Sequence, residues 1–168
     1  MKTILTLDKQ DYTDDLKLYE VFSTRAIIVQ DGKAVMQKNA KGIYKIPGGT
    51  VENGEGLIET LHREVADETG LCIDESSIRE IGQIEEIRRD VFDPGVKYVC
   101  HTMYYQCDVL PQRCEMHLTE SEKAAGFQVT WASFEDILST NKKLQKDYWL
   151  MKDTLFVEML LDGKLDFE

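Results

Sequence analysis

Five residues with the chemistry to hold a cation or move a proton recur at fixed intervals in one stretch of the chain: Gly49, five residues, Glu55, seven residues, then Arg63-Glu64-Val65-Ala66-Asp67-Glu68-Thr69-Gly70-Leu71. On a helix turning about 100° per residue, Glu64 and Glu68 stack one above the other and Asp67 falls on the neighbouring stripe. Three acids crowded on one edge repel, which weakens an isolated helix and raises carboxylate pKa values, so the pattern calls for a compensating cation. Hard oxygen ligands suit Mg²⁺, with Mn²⁺ able to substitute. Mg²⁺ keeps several waters and takes few carboxylates together with phosphate oxygens, so the expected ion bridges protein and phosphate. Acid-rich helices are usually only solvated faces. What sets this one apart is its company: a Pro47-Gly48-Gly49 loop ahead of it, an isolated Glu55, Arg63 beside the acids and a glycine at its end.

The elements that must position these residues are legible in outline. Residues 55 to 69 carry Leu57, Ile58, Leu61, Val65 and Ala66 at helical spacing, and Gly70 is placed to cap that helix in a left-handed conformation. Residues 18 to 39 read as a hairpin turning at Asp31-Gly32. Residues 43 to 51 are a short strand broken by a proline and two glycines, a loop suited to unusual backbone angles. Residues 78 to 91 and 96 to 110 form two longer strands around Asp93-Pro94-Gly95. A strand over 127 to 131, a short helix over 132 to 138 and a terminal helix over 144 to 161, with Leu150, Leu155, Phe156, Met159 and Leu160, complete the pattern. Strands and helices intermix, which makes the fold class α/β or α+β, with helices covering a mixed sheet.

The 168 residues fit one globular domain, and no repeat or Pro-rich linker marks a second. Apolar runs are short, and Asp8, Asp11, Asp14 and Asp15 follow the N-terminal patch without a cleavage site, so we read no membrane span and no secretion signal. Cys72, Cys100, Cys107 and Cys114 lack CxxC spacing and are expected to be reduced, buried thiols, as in a cytoplasmic protein. Acids outnumber bases 31 to 20, a net charge of -11. Such a surface repels a nucleic-acid backbone, and it accepts a polyanionic small molecule only where bound metal inverts the local field.

The string from Gly49 to Leu71 resembles the Nudix box, Gly-x5-Glu-x7-Arg-Glu-U-x-Glu-Glu-x-Gly-U with U apolar, at every specified position except Asp67. Ile46-Pro47-Gly48 resembles the usual run into that box. The resemblance implies an α/β/α sandwich, Mg²⁺ as cofactor, and hydrolysis of the pyrophosphate linkage of a nucleoside triphosphate or a nucleoside diphosphate-linked small molecule. It implies that Glu64, Asp67 and Glu68 bind metal, with Glu64 or Glu68 contacting the attacking water and Glu55 supporting the metal site. Arg63 would pair with a box acid and hold its rotamer, while Gly48 and Gly49 would admit close backbone approach and offer a carbonyl to metal. Asp67 is one methylene shorter than the family's glutamate, so a water is expected to intervene there.

Members of the family often recruit a further acid from outside the box, and Glu120 and Glu122 are the candidates; capping a turn is the competing role. Tyr44, Tyr104, Tyr105 and Trp131 could stack a base, against core packing as the alternative. His62, His101 and His117 have no ligand spacing. Glu86, Ile87 and Arg88 occupy the region where some subfamilies carry a signature proline or tyrosine, so the sequence names no single substrate. Two other readings stay open. A nucleotide-sensing module on the same fold is disfavoured by the unbroken acid set and the absence of a basic DNA-binding extension. An isoprenyl diphosphate isomerase would need a catalytic Cys and further acids not evident here. A homodimer is compatible with all of these.

Overall fold

The computed structural model describes residues 1–147 and 151–167. One mixed four-stranded sheet runs β1 (Thr3–Asp8), β7 (Arg79–Arg89), β8 (Val96–Gln106), β2 (Lys17–Ile27); β7 and β8 are antiparallel, while β1 on β7 and β2 on β8 are parallel. A second sheet places β4 (Lys33–Lys38) between β10 (Gln128–Ala132) and β3 (Val29–Gln30), with β5 (Tyr44–Lys45) also on β4. Helix α1 (Leu57–Thr69) packs on one side, where Leu61 and Val65, both fully buried, meet Ala26, Val35 and Met103. Helices α3 (Phe134–Leu144) and α4 (Lys152–Leu161) cover the other core, in which Phe156 stacks on Tyr104 with ring centroids 3.9 Å apart. The result is the expected α/β/α sandwich.

Several expectations need correction. The hairpin is confined to β3 and β4 around Asp31 and Gly32, both at positive φ; the long strand before it leaves at Ile28 for the other sheet, where it finds a parallel partner in β8. The helix expected over 132 to 138 extends to Leu144, because Asn141 is tied down: its side chain accepts from Tyr44 N at 2.8 Å and donates to Tyr44 O at 2.9 Å. The terminal helix starts only at Lys152, and Leu150 lies outside the described residues. Strand β1 was not foreseen, nor was the small sheet of β6 (Leu71–Ile73) and β9 (Val109–Arg113).

That small sheet also overturns the expectation of four free thiols. Where β6 meets β9, with an irregular register between Leu71 and Ile73, Cys72 and Cys114 come to a Cα separation of 5.5 Å, within disulfide reach, and they are bonded. Cys100 and Cys107 are free and buried. Among the described residues no helix is long and apolar enough to cross a membrane.

Candidate active site

The site begins with a loop strapped to a sheet edge. Residues 47 to 51 run along β2: Thr24 N donates to Gly49 O, Ala26 N to Pro47 O and Val51 N to Phe22 O, each at 2.9 Å. Gly48 has φ 141°, a conformation that L side chains rarely adopt, and a Cβ there would overlap the Thr24 carbonyl. A Cβ on Gly49 would overlap the Glu64 carboxylate. Gly48 therefore lets the loop lie directly against β2, and Gly49 leaves room for the Glu64 side chain of α1.

Helix α1 starts after Gly56, whose N–H donates to Glu59 at 3.4 Å, and ends at Gly70, φ 69°, whose N–H donates to Ala66 O at 2.8 Å. Its acids face the loop in distinct environments. Arg63 is the hub of the outer part: Nε lies 2.5 Å from Glu55 Oε1, Nη2 lies 2.8 Å from Glu55 Oε2, and Nη1 lies 2.7 Å from Glu64 Oε1. Hydrogen bonding to Arg63 pulls the Glu55 pKa down to about 2. Glu64 is thus held by the guanidinium, with its carboxylate lying close beside the Gly49 backbone.

Glu68 is the inner acid, 1% exposed. One oxygen accepts from Lys45 Nζ at 2.6 Å and the other from Gly48 N at 2.7 Å. Burial raises its pKa to about 7 against the opposing pull of Lys45 and Gly48. Glu122, in the first turn of α2 (Glu120–Ala125), caps its own helix with Thr119 and lies within electrostatic reach of Glu68. Its neighbour Glu120 instead points to solvent and pairs with Lys123. Of the two candidate outer acids, Glu122 lies on the side of Glu68 and Glu120 does not.

Asp67 is half-buried, and its carbonyl accepts from His117 N at 3.0 Å. Glu64, Asp67 and Glu68 do not meet at a single point: among the described residues no three His, Cys, Asp or Glu side chains converge closely enough to hold an ion alone. Two of them are instead neutralised by cations, Glu64 by Arg63 and Glu68 by Lys45. The residues still suit a hard divalent ion, since the Glu64 and Glu68 carboxylates both flank the glycine loop and Mg²⁺ needs few protein ligands.

The aromatic candidates separate cleanly. Tyr104 is fully buried, with its hydroxyl donating to Asp153 at 3.0 Å; Tyr105 and Trp131 belong to the α1-side core. Tyr44 lines an open cavity beside Arg25 and Lys45, and the half-buried Trp131 lines another with Gln30, Asp31 and Lys33. His101 is held between Glu20 and Glu85, and His117 is exposed. Lys45, Arg25, Lys152 and Asp153 were not singled out in the sequence; Lys45, immediately before the Ile46-Pro47-Gly48-Gly49 run, carried the only local signal.

A mixed sheet between helices, with a glycine loop pressed on an acid-bearing helix, defines an α/β/α sandwich with its acids at one sheet edge. The NUDIX domain family matches residues 21–153, and the chain belongs to that family. Hydrolysis of phosphorus-containing anhydrides, generally with a divalent metal such as Mg²⁺, is the family's general chemistry. The chain is similar to a Mus musculus protein described as nucleoside diphosphate-linked moiety X motif 6, 27% identical over 123 residues, which are 73% of this chain and 34% of the mouse protein. It therefore spans about a third of that relative's length. Solved structures with the same fold include a NUDIX hydrolase from Nitrosomonas europaea, with TM-score 0.57, 19% identity and coverage of 84% of this chain and 90% of that one. A MutT protein from Bacillus halodurans gives TM-score 0.53 and 20% identity, covering 84% and 82%.

Proposed function

We propose that this chain is a Mg²⁺-dependent hydrolase that cleaves the diphosphate linkage of a nucleoside triphosphate or a nucleoside diphosphate-linked small molecule by attack of water. The observation that carries this reading is the buried Glu68 carboxylate bonded to the Gly48 amide, one helical turn from a Glu64 that Arg63 holds beside the Gly49 backbone.

Glu64, Glu68 and Glu122, with Asp67 through water and a glycine-loop carbonyl, would hold the metal. When bound, such an ion supplies charge neutralisation at the phosphate oxygens and a water of lowered pKa. Water oxygen forms the new bond to phosphorus, the bridging P–O bond breaks, and its electron pair leaves with the second phosphate. Glu64 or Glu68 accepts the proton from the attacking water, which favours turnover on the alkaline side of neutral. Arg63 fixes the Glu64 rotamer, and Glu55 fixes Arg63 in turn. Lys45 and Gly48 N hold Glu68 against its own desolvation. A cytoplasmic location fits this reading, with the Cys72–Cys114 bridge then open to reduction by cellular thiols.

The test is a screen of nucleotide and nucleotide-sugar substrates with Mg²⁺, reading released phosphate after phosphatase treatment, together with Glu68→Gln. Turnover should fall by about 100-fold or more while circular dichroism is unchanged. Full rate in Glu68→Gln, or no Mg²⁺ or Mn²⁺ uptake by calorimetry, would overturn the assignment.

A further inference from the structure

Behind the glycine loop, on the face of the β2–β8 sheet covered by α4, lies a group of cations that the hydrolytic step leaves unused. Arg25, Tyr44, Lys45, Lys152 and Asp153 line a cavity of about 180 Å³. Arg25 Nη1 donates to Thr24 O at 2.9 Å, its Nε lies 3.4 Å from Asp153, and that buried Nε makes no hydrogen bond. Lys152 Nζ lies 2.8 Å from Glu86 and 3.4 Å from the Thr102 hydroxyl. Arg88 takes the other Glu86 oxygen at 2.7 Å and stacks over Tyr98 at 4.1 Å. Four cations, Arg25, Lys45, Arg88 and Lys152, thus share one region with three carboxylates, Glu68, Glu86 and Asp153. In a chain of net charge -11 this is a local reversal of sign.

The acceptors around the cavity are already engaged. Asp153 receives Ile46 N at 3.1 Å and the Tyr104 hydroxyl at 3.0 Å. Asn141 Oδ1 is taken by Tyr44 N, and Gln145 Oε1 by the Thr154 hydroxyl at 2.7 Å. A nucleobase edge needs both donors and acceptors, whereas this cavity offers mainly charged donors, the pairing chemistry of a phosphate.

We propose that this cavity binds a phosphate monoester carried by the organic part of the substrate, so that the preferred substrates are diphosphate compounds with a second, separate phosphate. Thr102 pairs with Ser23 across β2 and β8, and the glycine loop lies on the far edge of β2. The cavity adjoins the hydrolytic edge through Lys45, which lines it while bonding Glu68 at 2.6 Å, so the second phosphate sits next to the reacting diphosphate. The inference rests on the hydrolase reading above and narrows its substrate class.

Two measurements test it. In matched pairs that differ by one ribose phosphate, NADP⁺ against NAD⁺ and coenzyme A against its 3′-dephospho form, the phosphorylated member of at least one pair should have a KM about tenfold lower with kcat changed less than about threefold. That preference should collapse in Lys152→Met and return in Lys152→Arg. Separately, the metal-free protein should bind inorganic phosphate by calorimetry in the millimolar range, and Lys152→Met should weaken this at least tenfold. Arg25→Gln gives the same comparison if Lys152→Met fails to fold by circular dichroism. Mg²⁺-dependent cleavage without preference for the phosphorylated member, or phosphate binding unaffected by either variant, overturns the inference and leaves the hydrolase reading standing. Phosphate binding that depends on Lys152 in a protein that cleaves none of the substrates supports the cavity and instead removes the hydrolase reading.

Discussion

Lys45 Nζ and Glu68 Oε1 lie 2.6 Å apart, joining a strand to the inner face of the box helix across 23 positions of sequence. The lysine is partly exposed, the glutamate 1% exposed, so the buried acid depends on a cation that reaches in from the surface. Lys45 therefore occupies the side of Glu68 from which a metal would also draw charge.

We expect Lys45→Met to leave Glu68 buried and unpaired. The cost should be about 3 kcal/mol at pH 8, where the carboxylate must ionise, and small at pH 5, where it stays protonated. Urea unfolding at the two pH values reads the difference. With its competitor gone, Glu68 should contribute to tighter Mg²⁺ uptake in the folded variant, measured by calorimetry at pH 8.

The two perturbed acids set opposite pH limbs for the metal-free protein. Glu68, raised from 4.5 to about 7, contributes stability that is complete below pH 4.5 and lost as pH rises to about 7. The amount is roughly 3 kcal/mol, and Glu68→Gln should abolish this loss. Glu55, lowered from 4.5 to about 2 by Arg63, contributes stability present above pH 4.5 and lost as pH falls toward 2. Glu55→Gln should flatten that acid limb. Denaturation series in EDTA measure both, and a pH-independent difference between wild type and Glu68→Gln over pH 4.5 to 7 would contradict the first.

Adjacent glycines should respond differently to alanine. Gly48→Ala sets a Cβ against the Thr24 backbone at a φ of 141°, and should cost 3 kcal/mol or more, on the order of a core disruption. Gly49→Ala meets only the end of the Glu64 side chain, which can rotate away. It should leave stability within about 1 kcal/mol while lowering turnover by about tenfold or more, because Glu64 loses its position. Thermal unfolding and steady-state rates separate the two outcomes.

Cys72 and Cys114 close a loop across 42 positions of sequence. Chain-entropy arguments assign such a cross-link about 3 to 4 kcal/mol, so Cys72→Ser should lower stability by that order in urea unfolding. Reduction of the wild type should have the same effect, and no effect on the doubly substituted Cys72→Ser, Cys114→Ser protein.

What was legible in the sequence was local. Asp31-Gly32 marked its turn, Gly70 its cap, and Leu61 and Val65 the buried face of α1, because turn chemistry and helical spacing are fixed by residues a few positions apart. The box spacing by itself placed Arg63 within reach of Glu55 and Glu64, since its members lie on one loop and one helix. Only the tertiary structure decided which of Glu120 and Glu122 reaches Glu68, that Lys45 pairs with it, that Cys72 meets Cys114, and that Arg25 and Lys152 share a cavity. Those relations join segments distant along the chain, and they follow from how strands register and helices pack. A run of sequence carries no local signal for a neighbour that is brought close only by folding.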